Sequence, residues 1–275
     1  MPGIVRSFDV HSLVFQLRAN DPFSFPAFLT GNVLRGALGS FLQSANPNAY
    51  EILFGQRSTA SQVPRPFVLR CRNLDGKDFA AGETFSFDIN LFLTNLDLHH
   101  AITAAVVAMG EKGFGPNRSR ASVSGPPEHV RHALPLDCPV NPTCALRIHF
   151  NTPTELKHGG EVIDPSQFAI LLAQIHWRLN RLSTLYGEGA LAVNGKLLRE
   201  RAESVQIQAA NLASVKVSRR GSRSGRIHPL GGVIGSAEYS GCLSPFVPLL
   251  KAAAFTGVGR HTVWGNGEIS PEILA

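Results

Sequence analysis

Arg260 and His261 sit in a short run, GVGRHTVWGNG, punctuated by Gly257, Gly259, Gly265 and Gly267. Glycines reach positive φ, and their missing side chains let backbone N–H groups face an anionic ligand. Arg260 adds a forked cation and Trp264 a stacking surface, a combination that suits a nucleic-acid strand. The competing reading is a glycine-rich hairpin that only lets helix and sheet pack, with Trp264 in the core. A dinucleotide fingerprint requires a strand before GxGxxG and a helix after it, and here the helix comes first. The GK[ST] of a triphosphate-binding loop is absent from the run as well.

A second feature lies some thirty residues upstream. Lys216, Arg219, Arg220, Arg223 and Arg226 fall within eleven residues, and no acidic residue occurs between Val205 and Leu230. The chain has 26 basic and 20 acidic side chains, so without this strip the balance is 21 against 20. Nearly all the excess charge is thus local, and guanidinium groups spaced by small residues can make forked contacts along a phosphate chain. A solvated loop is the alternative, although such loops usually mix signs. RNA fits better than duplex DNA, because no helix-turn-helix or basic recognition helix carries these arginines.

His228 borders the strip and His261 lies in the glycine-rich run, so these two have the best placement for acid–base work or for contacting a ligand. His99 and His100 at a helix start, His149 in a strand and His176 in an amphipathic helix read as structural. Cys71, Cys138, Cys144 and Cys242 are too few and too scattered to staple a fold of 275 residues. Five residues separate Cys138 from Cys144, with no second close pair or paired histidines, so neither a zinc site nor any other metal or cofactor is expected.

The elements that must position these residues can be read from periodicity. Hydrophobic residues make up 44% and charged residues 17% of the chain, a globular composition long enough for two domains. The start, MPGIVRSFDV, lacks the pattern of a signal peptide, and no apolar run is long enough to span a bilayer. A cytoplasmic protein without a membrane partner is the expectation. HSLVFQLRA alternates, Thr30 to Gln43 reads as a helix, and PFVLRCRN and ETFSFDINLFL read as strands before a helix from Leu98 to about Lys112. A proline-rich passage from Gly125 to Pro142 reads as a linker. Beyond it CALRIHF is a strand, and Pro165 opens a helix whose stripe is Phe168, Leu171, Leu172, Ile175, Leu179, Leu182 and Leu185. Strands around the basic strip and a helix introduced by Ser244 and Pro245 complete the half. The same order occurs twice, which predicts an α+β chain of two tandem ferredoxin-like (split βαβ) domains, residues 1–135 and 136–275, the second carrying the glycine-rich loop.

LTGNVLRGALGSFL, YEILFG, PRPFVLR and GETFSFDINLFL resemble the CRISPR-associated endoribonucleases of the RAMP superfamily that process precursor CRISPR RNA. WRLNRLSTLYGEG, the arginine strip with GGVIGSAEYSG, and PFVPLLKAAAFTGVGRHTVWGNGEI resemble that family's C-terminal domain. Each motif is loose, but together they run in order through nearly the whole chain. The resemblance implies an RNA cleft between two ferredoxin-like domains and metal-independent cleavage, in which a 2′-OH attacks the adjacent phosphate to leave a 2′,3′-cyclic phosphate and a 5′-OH. It implies CRISPR repeat RNA as partner, precursor and product, and it admits other CRISPR-associated proteins or a second copy of the chain. Many members carry a histidine in or just after the first helix, whereas none occurs here between Leu34 and Gly55. Either His261, His228 or Tyr50 then serves in catalysis, or cleavage rests mainly on positioning and on arginine and lysine, or activity has been lost; Arg35 is read as an additional phosphate ligand or as one partner of a helix-surface salt bridge. The alternative is a non-catalytic RAMP subunit that binds guide RNA in an effector complex.

Overall fold

The computed structural model describes residues 6–55, 63–139, 141–220 and 227–274. They fall into two compact units. The first comprises Val10–His132 together with Val263–Gly265; the second comprises the residues up to Asp9, Ala133–Thr262 and those from Asn266 onward.

The first unit is built from β1 (Ser7–Ala19), β2 (Phe23–Ser24), α1 (Thr30–Ala45), α2 (Pro47–Phe54), β3 (Phe67–Arg70), β4 (Asp78–Phe79), β5 (Thr84–Leu91), α3 (Leu96–Lys112), β6 (Ala121–Val123) and β7 (Glu128–Pro135). Its antiparallel sheet runs β3-β5-β1-β6, β7 also pairs with β1, and β2 and β4 form a small ribbon of their own. Register explains the core. Leu13, Phe15 and Leu17 lie opposite Ile89, Phe87 and Phe85, so period-two alternation gathers one apolar face. That face packs with Leu34, Leu38 and Leu42 of α1 and Ile102, Val106 and Met109 of α3. Asn95 caps α3 by accepting the Leu98 amide at 3.0 Å, Asp97 and Lys112 suit the two ends of its dipole, and Gly113 stops it at φ 90°. Asn46 does the same for α2, accepting from Ala49 at 3.0 Å.

The proline-rich passage is not a plain linker, because Glu128–Pro135 forms β7. Its prolines explain this: Pro126 and Pro127 precede the strand and Pro135 ends it, so the amides between remain available for a ladder.

The second unit contains β8 (Ala145–Thr154), β9 (Leu156–His158), β10 (Glu161–Ile163), α4 (Phe168–Tyr186), α5 (Gly195–Ala202), β11 (Gln206–Val215), β12 (Ser218–Arg220), β13 (Ile227–Pro229), β14 (Gly232–Ser240), α6 (Val247–Thr256) and β15 (Ile269–Ile273). Its antiparallel main sheet runs β11-β14-β8-β15, and β12 pairs with β13 in a separate ribbon. In both sheets the strands thus stand in the spatial order last, first, third, second. The α4 stripe buries Phe168, Leu171, Leu172, Ile175, Leu179 and Leu182, with Phe168 against Tyr239 and Phe246 at 4.9 and 5.2 Å between ring centroids. Two details differ from the expectation. The helix begins at Phe168 rather than Pro165, because the Asp164 carboxylate accepts the Ser166 amide at 2.8 Å and holds the proline in a turn. Leu185, in the last turn, is exposed.

Candidate functional site

The glycine-rich segment leaves α6 at Gly257, whose φ of 70° and amide bond to the Ala253 carbonyl at 2.8 Å form the helix stop. It then folds back on itself. Val258 N–H donates to the Gly267 carbonyl at 2.9 Å, Gly267 N–H to the Pro153 carbonyl at 3.1 Å, and Arg260 N–H to the Glu155 carbonyl at 3.0 Å. Two glycines are sterically required. A Cβ at Gly259 would lie 2.4 Å from the Glu155 carbonyl oxygen and one at Gly267 2.0 Å from that of Val258, both at positive φ. The amides of Gly257, Val258, Arg260 and Gly267 are therefore spent inside the protein, and what the segment presents outward is the exposed side chain of Arg260.

Arg260 forms an ion pair with Glu155. His261 follows it in the left-handed region at φ 62°, half-buried. Burial holds the His261 imidazole down to about pKa 4; the Arg260 guanidinium adds to this, Glu155 opposes it, and Arg219 and His228 lower it further. Arg219 and His228 face each other across the β12–β13 ribbon. The fold thus brings Glu155, Arg219, His228, Arg260 and His261, from four separate stretches of sequence, into one electrostatic neighbourhood in the second unit. A neutral imidazole among arginines can accept a proton at its bare ring nitrogen but lacks the imidazolium proton that a general acid gives up, and the guanidinium groups suit an oxyanion.

Other residues singled out in the sequence have different settings. Lys216 is exposed, Arg219 is half-buried and Arg220 closes β12, while Arg223 and Arg226 lie outside the described residues. Arg35 and Tyr50 belong to the first unit. The Arg35 guanidinium sits 5.0 Å from the Phe54 ring centroid and 4.5 Å from that of Trp264. Tyr50 stacks on Phe54 at 5.3 Å with the rings 8° from parallel. Trp264 and Gly265 lie with the first unit too: a Cβ on Gly31 of α1 would come within 1.9 Å of the Trp264 carbonyl oxygen, and one on Gly265 within 3.6 Å of the Cys71 sulfur. Trp264 packs at the edge of the core there, a setting different from an open stacking platform.

One cluster has no counterpart in the sequence reading. In the first unit, the rings of His11 on β1, His99 on α3 and His129 on β7 meet with centroids 4.9 to 6.1 Å apart. His11 Nδ1 and His129 Nε2 share a hydrogen bond of 3.0 Å, and His11 Nε2 pairs with the Thr94 hydroxyl at 3.0 Å. His99 Nε2 is buried with no hydrogen-bond partner. Burial lowers the His99 pKa, and the neighbouring charges of His129, His11 and His100 add to the effect. Separations of tens of residues hide such a cluster; the only hint is that the alternation of β1 turns His11 inward. Among the described residues no group of His, Cys, Asp or Glu is arranged to hold a metal ion, and no helix is long and apolar enough to cross a membrane.

Residues 148–269 match the family model of the CRISPR-associated endoribonuclease Cas6, and residues 8–126 match a model described as an N-terminal domain. No curated protein matches the chain. Among solved structures, a Cas6 product complex is similar over 96% of this chain and 100% of its own, with a TM-score of 0.62 and 18% identity. Thermus thermophilus Cas6 is similar over 98% and 100%, with a TM-score of 0.58 and 17% identity. A partial complex of Cas6-RT-Cas1 with Cas2 contains a chain similar over 98% of this one and 47% of that one, with a TM-score of 0.62 and 15% identity.

Proposed function

We propose, from the match of residues 148–269 to the Cas6 endoribonuclease family model and from a Cas6-like fold along nearly the whole chain, that this protein binds CRISPR repeat RNA and cuts it without a metal ion. The observation that carries this reading is the grouping of Arg219, His228, Arg260 and His261 within the matched residues. The 2′-OH beside the cut attacks the phosphate. A base takes its proton, the 5′ oxygen leaves with a proton from an acid, and cations stabilise the pentacoordinate phosphorane. His261 is neutral and available as the base, and His228 is the candidate acid. Tyr50 is a further candidate for proton transfer. Arg219 and Arg260 are suited to the developing charge. The products are a 2′,3′-cyclic phosphate and a 5′-OH.

Lys216, Arg220, Arg223 and Arg226 extend the phosphate contacts along the strand, and Arg35 adds one from α1. Gly257, Gly259, Gly265 and Gly267 shape the loop that presents Arg260. The two halves, residues 1–135 and 136–275, are tandem ferredoxin-like domains in this reading, and the shared strand order supports it. Partner CRISPR proteins and a second copy of the chain remain part of the proposal, which the Cas6-RT-Cas1 likeness supports for the former.

A second reading has its own support. The missing histidine between Leu34 and Gly55, together with a His261 pKa of about 4, suits a RAMP subunit that holds guide RNA without cutting it. One experiment separates the two. Incubation in EDTA with the cognate repeat RNA should give a single cut bearing a cyclic phosphate, and a 2′-deoxy nucleotide at that position should abolish it. Tight binding of uncut RNA would establish the second reading, and cleavage of the deoxy substrate would overturn the nucleophile.

A further inference from the structure

A cavity of about 430 Å³ opens in the second unit where the ends of β8, β10, β11 and β14 meet. That volume falls within the roughly 300–1,000 Å³ common for small-molecule sites. Ile163, Val215 and Val217 contribute apolar wall, Ser214 a hydroxyl, and among the described residues that line it Glu155 and Lys216 are the only charged ones. The Glu155 carboxylate is already engaged by Arg260. An apolar hollow with a lysine at its rim and an arginine beyond its only carboxylate has the chemistry of a nucleotide unit, an apolar planar face next to a phosphate.

The cavity also lies between the two features that the proposed function assigns to RNA phosphates, because Lys216 begins the basic strip and Glu155 anchors Arg260 of the glycine-rich segment. A strand gripped by its phosphates on both sides has to place the base in between. Leaving that base unstacked in water forfeits its stacking energy, whereas an apolar recess recovers part of it. The absence of any acidic residue from Val205 to Leu230 keeps the rim favourable to the polyanion.

We propose that this cavity receives one unstacked base of the bound RNA strand, with Lys216 on the adjoining phosphate. The proposal rests on the RNA-binding reading above and adds to it a site of base recognition. It can be tested with the full chain and a panel of repeat RNAs, each carrying a single abasic nucleotide. One position should weaken binding about tenfold or more, the others by much less. Ser214→Trp and Val217→Trp fill the cavity from two separate positions. Each should weaken binding of intact RNA to a similar extent and erase the penalty at that abasic position. Uniformly small abasic penalties, or a penalty that persists in both filled variants, would overturn the cavity proposal while leaving RNA binding in place. Failure to bind intact repeat RNA would overturn the RNA reading itself, and the cavity proposal with it.

Discussion

His99 of the first unit and His261 of the second are kept neutral by different surroundings. Around His99 the first unit supplies burial and other imidazoles, His129, His11 and His100, each of which carries charge only when protonated. Around His261 the second unit supplies burial and two guanidinium groups, Arg260 and Arg219, which are charged at every accessible pH. The imidazole cluster offers no standing positive field to an anion. The arginine-flanked site does, offset in part by Glu155, and a phosphate placed there would oppose the arginine share of the His261 shift while leaving the larger share due to burial. The same lowering of a pKa thus accompanies packed imidazoles in one unit and, in the proposed reading, a phosphate site in the other.

The largest effect should come from exchanging roles between the two groups. Replacing His261 by alanine, or by asparagine, which tolerates the left-handed backbone at this position, should slow cleavage by roughly a hundredfold or more with a much smaller loss of binding. His99→Gln should leave both within about twofold. Equal losses of rate and affinity for the His261 variants would make that residue a contact rather than a base. A smaller effect tests the field. Arg219→Ala combined with Arg260→Ala should weaken RNA binding by roughly tenfold and make the dependence of log affinity on log salt shallower by about 1.4, the value for two phosphate contacts on a single strand. An unchanged slope would place the phosphates elsewhere.

The smallest effect is on stability. The folded-state pKa of His99 is lowered, so above the ordinary histidine value near 6.5 folded and unfolded chains are both neutral at this residue and the stabilisation is complete. As the pH falls, the unfolded chain takes up a proton that the folded one resists, and stability is lost toward the folded pKa. His261 contributes with the same sign between about 6.5 and its value of about 4. The urea midpoint should therefore fall between pH 7.5 and pH 5, less steeply in His99→Gln. Adding repeat RNA should raise the titration midpoint of His261, followed by its ring proton resonances, and leave that of His99 in place. A common response of both would erase the distinction.

Much of the fold was legible because its strands and helices bury one face. The alternation of Leu13, Phe15 and Leu17 and the stripe from Phe168 to Leu182 are local signals that tertiary packing reinforces. Short elements escaped. The helices α2 and α5 are eight residues long, too short for a helical period to stand out from chance, and β7 was hidden by its flanking prolines. The site was legible only as ingredients. Arg260 and His261 were visible by adjacency, and Arg219 and His228 as members of a basic strip, but Glu155 gave no sign, since its role depends on β8 ending beside the glycine-rich turn. Trp264 illustrates the reverse: its neighbours in sequence suggested a ligand surface, whereas its packing partners are Arg35 and the first unit's core.

That last placement bears on how the chain is made. Val263 and Trp264 pack against a core whose other members all lie before residue 122. A ribosome releases the first unit's sheet and helices long before these two side chains, so during synthesis the core waits, incomplete, for residues made well after its own. A fragment that stops at residue 135 would lack them altogether. The late turn at Thr262–Trp264 is thus a check written into the topology: only a chain that extends past it closes the interior that the earlier segments laid down.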